Sequence, residues 1–248
     1  MLYLIVVACS IFFMAQGCKI DEHEVPIVFT DINLLKALCK LGADSNGDGM
    51  ITQKEAENIK KLTLIGENIN NFGGLETFTN LDSLVLKMLP PESLNLSCMP
   101  HISYFECTLC ETRKLDLSGN LKLATVLCEK NQLDTLLLPA SPALKTLNCG
   151  YNRLRNVDVS ANPLLTTLRC NNNLLSSLDL SNNLLLKQMI SCGNQLTSLD
   201  VSKNSSLTLL GVDNMPMLSA VYVWMLPFPP AGGQVLNTYS PQIKFALK

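Results

Sequence analysis

An apolar position returns every 21 residues: Leu123, Leu144, Leu165, Leu186 and Leu207. Three more columns keep the same step: Cys107, Cys128, Cys149 and Cys170; Asn131, Asn152, Asn173 and Asn194; and Leu115, Leu136, Val157, Leu178 and Leu199. Self-similarity at a fixed short period signals a stack of repeated units. Leu144, Leu147 and Cys149 alternate with polar residues, so one short strand buries one edge. Val157 and Val159 flank an outward Asp158 in a second extended piece. Stacked units pair these strands in parallel, and each unit completes its core only against its neighbours. The Asn column sits inside, where an amide offers donors and acceptors to loop backbone. A first coil at 59–80, six 21-residue units to 206 and an irregular last coil place about eight coils over 59–228.

The flanks break this period. Leu2 to Ala15 is apolar and uncharged but too short to span a bilayer, so 1–17 reads as a secretory signal. Ala15-Gln16-Gly17-Cys18 resembles the cleavage box of bacterial lipoproteins, which implies a lipidated Cys18, a tether over 18–30 and a place on the bacterial outer membrane, facing outward. Leu34, Leu35, Leu38 and Leu41 fall at helical spacing, with Thr30 or Asp31 as cap. Asp44 to Glu55 then matches the twelve-residue loop of an EF-hand. Asp44, Asn46 and Asp48 supply side-chain oxygens, Met50 its carbonyl, Thr52 a direct or water-bridged contact, and Glu55 two closing oxygens. A hard cation wants six to eight oxygens at alternating positions of a tight turn, so a structural Ca2+ is expected in a cap over 31–58. No second loop is visible, which points away from a sensor that opens a groove.

At the other end, Val221 to Trp224 and Ile243 to Leu247 alternate. A β cap over 229–248, with Trp224 as cover, would close the open apolar row.

Composition narrows the function. Nineteen Lys+Arg against 21 Asp+Glu give a net charge of −2, without the basic excess of a nucleic-acid binder. The two histidines, His23 and His101, lack an acid and a nucleophile at recognisable spacing, and no phosphate loop or zinc motif appears. A catalytic role is therefore not expected, and the alternatives to a binding module are an enzyme-associated accessory or a purely structural envelope lipoprotein.

The repeat resembles the 21-residue, cysteine-ladder leucine-rich repeats of internalin-like bacterial surface proteins. The resemblance implies a right-handed solenoid of stacked parallel strands, with a short extended or 3-10 convex side. It also implies a monomer whose strand face binds a protein or glycan. On that face the candidates are Tyr104, Glu106, Leu127, Glu129, Asn148, Tyr151 and Arg169. The ladder cysteines replace a buried Leu, where free Cys behaves as a small hydrophobe. Cys110 stands where the Asn column should be, leaving a Cys98–Cys110 or Cys107–Cys110 bridge open. Ser191 takes the ladder position in its coil, so Cys192 should face solvent.

Overall fold

The computed structural model describes residues 24–66, 68–89, 96–238, 240 and 242–248. The signal segment, Cys18 and His23 lie outside them.

Among the described residues, two short helices precede the repeats. In α1 (Ile32–Lys40), Leu34, Ala37 and Leu38 are buried. Asp31 caps this helix by accepting from the Asn33 amide, and its other oxygen accepts from the amides of Asn70 and Asn71. One carboxylate thus ties the helix start to the first coil. Leu41, expected on the apolar face, is exposed because the helix has already ended and the chain turns at Gly42. The second helix, α2 (Gln53–Asn58), starts from a capping box in which Thr52 and Glu55 satisfy each other's backbone amides. Between the helices, Pro26 bridges Thr52, and the Ile27 amide donates to the Ile51 carbonyl at 2.7 Å. The edge through which a second calcium loop would pair is thereby taken by the chain's own 26–27 segment.

The repeats form a β-solenoid of about eight turns with a leucine-rich repeat fold. Its main face is an all-parallel sheet of nine strands: β1 (Lys61–Ile65), β2 (Ser83–Lys87), β3 (Tyr104–Thr108), β5 (Thr125–Leu127), β7 (Thr146–Asn148), β8 (Thr167–Arg169), β9 (Gln188–Ile190), β11 (Leu209–Gly211) and β13 (Gln234–Leu236). The opposite side carries two smaller parallel sheets: β4 (Lys114–Asp116) with β6 (Thr135–Leu137), and β10 (Ser198–Asp200), β12 (Ala220–Val223) and β14 (Lys244–Leu247). The final strands extend both faces, with Leu209 opposite Gln234 and Ala220 opposite Lys244. Trp224 meets Phe228 edge-on at 5.3 Å, and Phe228 stacks on Phe245 at the same distance.

The core is a set of ladders. Leu84, Phe105, Val126, Leu147, Leu168, Met189 and Leu210 form one buried row, and Cys107, Cys128, Cys149, Cys170 and Ser191 the next. All described cysteines are free thiols. Asn152 shows why the Asn column repeats. Its amide nitrogen donates to the Cys128 and Cys149 carbonyls at 2.9 and 3.0 Å, while its oxygen accepts from the Leu133 amide at 3.0 Å. Asn173 and Asn194 repeat this pattern one coil on. A second Asn column, at 162, 183 and 204, donates its amide nitrogens to carbonyls of the preceding coil, while the buried oxygens of Asn183 and Asn204 accept no bond. The turn backbone of a narrow coil has no sheet partner, and these buried amides supply one.

Candidate functional site

Strand register aligns the outward side chains into rows. Val85, Glu106, Leu127, Asn148, Arg169 and Ile190 occupy one row; Ser83, Tyr104, Thr125, Thr146, Thr167 and Gln188 the one beside it. Glu106 is held from two sides: Lys87 pairs with one oxygen at 2.8 Å, and the Tyr104 hydroxyl donates to the other at 3.0 Å. Burial and that bond to a carboxylate both push the Tyr104 hydroxyl up in pKa. Glu129 accepts from Asn148 at 2.7 Å. Leu127 is half-buried, and Arg169 is exposed. The two acids are thus already neutralised or bonded within the face.

Along one edge of this face runs a column that sequence reasoning missed apart from Tyr151. Met88, Leu109, Lys130, Tyr151, Asn172, Gly193 and Asn214 follow the 21-residue step, and all have positive φ, between 53° and 68°. Such a conformation costs roughly 1–2 kcal/mol for residues other than Gly, less for Asn. The far half of the column uses Asn and Gly. The near half holds two bulky apolar side chains, a lysine and a tyrosine. Met88 is 55% exposed, Leu109 50% and Tyr151 51%, so burial does not offset the strain. A signal was present only in the far half, where Asn172, Gly193 and Asn214 mark a left-handed position; Met88, Leu109, Lys130 and Tyr151 carry no such mark.

Cys192 departs from expectation. It is half-buried, with its sulfur lying over Gly211 of the next coil, where a Cβ would come within 3.1 Å of it. Burial raises its thiol pKa.

In the Asp44–Glu55 loop, Asp44 accepts from the Gly47 and Gly49 amides, Asn46 from the Asp48 amide, and Asp48 from the Met50 amide. These bonds turn the oxygens of Asp44, Asn46 and Asp48 onto the loop's own amides, and among the described residues Asp44, Asp48 and Glu55 do not gather into a metal-holding cluster. Glu55 is 7% exposed. One oxygen accepts from the Ser45 amide and hydroxyl, the other from the Thr52 amide and hydroxyl. Burial alone would raise its pKa, but these bonds outweigh burial and hold it at about 2. The donor set has the hard-oxygen chemistry of a calcium site, and the two hydroxyls would have to turn away for Glu55 to face a cation.

No sequence-family profile matches the chain, and no curated protein matches it in sequence. Solved structures do. Internalin C2 of Listeria monocytogenes superposes with a TM-score of 0.60 at 19% identity, over 89% of this chain and 95% of that one. InlP of Listeria monocytogenes gives 0.54 at 23%, over 81% and 69%. The functional domain of InlJ from Listeria monocytogenes, which includes a cysteine ladder, gives 0.48 at 21%. This chain spans 55% of that domain and 79% of its own length is matched.

Proposed function

We propose that the protein is a non-catalytic, surface-anchored binding module that holds a protein ligand against the main sheet. The ligand would straddle the row from Glu106 to Arg169 and the ridge formed by Met88, Leu109, Lys130 and Tyr151. The observation that carries this reading is the ridge itself. Four consecutive coils keep costly left-handed backbone beneath exposed side chains, where Asn or Gly would relieve the strain. Strain maintained without burial is what selection for a contact with something else would leave. A protein is favoured over a glycan because two of the four ridge side chains are aliphatic or thioether rather than aromatic. The protein–glycan choice is tested with the module itself. Purified extracellular proteins and glycans are screened for binding, and the Met88→Asn, Leu109→Asn, Tyr151→Asn variant is then compared with wild type. The variant should lose at least most of its affinity for the ligand while melting no lower. A ligand bound equally by both, or a destabilised variant, overturns the reading.

Anchoring through a lipid on Cys18 at the outer membrane, a monomeric state and a structural Ca2+ belong to the same proposal. The composition of 15–18 supports the first, and the hard-oxygen set of the loop supports the last. Asp44, Asn46, Asp48, Met50, Thr52 and Glu55 would hold the cation. It would supply charge compensation to a cap packed on the first coil.

A further inference from the structure

The third coil differs from those that follow at one buried position. Where Asn131, Asn152, Asn173 and Asn194 bridge ladder carbonyls, this coil has Cys110. Its thiol takes over part of the task, donating to the Leu86 carbonyl at 3.4 Å, the ladder residue one coil earlier, and lying as close to the Thr108 carbonyl. A thiol is a poor substitute for an amide that makes several good hydrogen bonds. What the exchange adds is a second sulfur beside the ladder cysteine of the same coil. Cys107 lies near the end of β3 and Cys110 follows it by three residues, both are buried, and the Thr112 hydroxyl lies 3.6 Å from the Cys107 sulfur. Between and beside them, Leu109 and Glu111 are both left-handed, with φ of 59° and 55°.

We propose that Cys107 and Cys110 are a dithiol–disulfide pair whose oxidation closes the turn that carries Leu109. Local opening of the turn exposes both thiols, and the bond changes are the same whichever attacks first; take Cys110. Its thiolate displaces one thiolate from an external disulfide such as oxidised glutathione, forming a mixed disulfide at Cys110. Cys107 then loses its proton and attacks that sulfur, expelling the second external thiolate. Two protein thiols are oxidised, one external disulfide becomes two thiols, and the two protein protons end on them. Burial confines the exchange to folding or to local opening of the turn. The bridge removes the bond to the Leu86 carbonyl and fixes residues 107–110 in a short ring, so redox state sets the rigidity of the ridge at Leu109.

The test needs no ligand. The full chain is refolded in a glutathione mixture rich in the oxidised form, and separately in dithiothreitol, then denatured in acid, alkylated and weighed. Cleavage after Glu106 and Glu111 frees a Cys107–Glu111 peptide. In the oxidised sample that peptide should be unalkylated and lighter by two hydrogens; in the reduced sample it should carry two alkyl groups. Cys98→Ser should behave as wild type. Cys110→Asn, which installs the residue used at 131, 152, 173 and 194, should fold and leave Cys107 fully alkylated in both buffers. The proposal is overturned if both thiols of the wild-type peptide stay alkylatable after oxidative refolding, which makes Cys110 a packing substitute only. It is equally overturned if the bridge joins Cys98 instead.

Discussion

Cys149 has Cys128 and Cys170 as its ladder neighbours and is fully buried, so its environment is apolar on every side but the backbone. Burial raises the thiol pKa along this ladder, to about 12 at Cys128. Both facts make these thiols inert. Cys149→Ser places a hydroxyl there and should destabilise by roughly 1–3 kcal/mol in denaturant titration if it finds no partner. Cys149→Ala loses only a small apolar group and should be the milder change. Reactivity with a thiol reagent in the native state should follow exposure. Cys98, on the surface, reacts first; Cys192, half-buried with a raised pKa, follows slowly; the ladder reacts only after denaturation. Fast native labelling of Cys149 would reverse the inner and outer faces. The repeat made the ladder's burial legible. The partial burial of Cys192 was not legible, because its sulfur settles over Gly211 of the next strand.

Among the elements, α2 depends most on one side chain. Glu55 is the N3 residue of its capping box, the anchor of Ser45 and the last position of the calcium pattern. Its pKa is about 2 in the fold against an ordinary 4.5. A carboxyl depressed by folding stabilises fully above its unfolded value, and that contribution is lost as pH falls through the folded one. Wild type should therefore lose stability between about pH 4.5 and 2, by on the order of 2–3 kcal/mol from this group. Glu55→Gln should be less stable at neutral pH and flatter over that window, as read by thermal melts at stepped pH. Calcium added after chelation should raise the melting temperature of wild type by linkage. Asp44→Ala with Glu55→Ala should abolish the rise. No calcium effect on wild type would reduce the loop to a hydrogen-bonded turn. The helix of 32–40 was readable from its leucine spacing, while the capping box of Thr52 and Glu55 was not singled out, because the loop pattern assigned both residues to calcium. The use of the Ile51 edge by Ile27 was not, since that pairing joins residues 24 positions apart with no pattern to link them.

For the whole molecule, stability is a sum over coils and the interfaces between them. Deleting residues 153–173 removes one period and leaves every ladder in register. That protein should still melt cooperatively, at a lower temperature. Deleting 153–170 breaks the register, turns buried columns outward and should prevent folding, as circular dichroism would show. Truncation after Phe228 removes β13 and β14 and uncovers the edges of β11 and β12, so light scattering should detect aggregation.

The sequence by itself determined the period, the inward columns and hence the parallel stack. A one-dimensional repeat makes every long-range contact a neighbour contact one period away, so spacing alone states which residues meet. It also determined the outward rows, because in-register strands align whatever lies between the buried positions. Only the tertiary structure decided the backbone sign at Met88, Leu109 and Lys130, since nothing in those side chains marks a left-handed turn. The coil's closure imposes it. It likewise decided that Glu106 and Glu129 are bonded within the face while Arg169 is exposed, and that the Cys110 sulfur lies 3.4 Å from the Leu86 carbonyl. Those facts depend on distances and rotamers between adjacent coils, which a repeat fixes in register but not in direction.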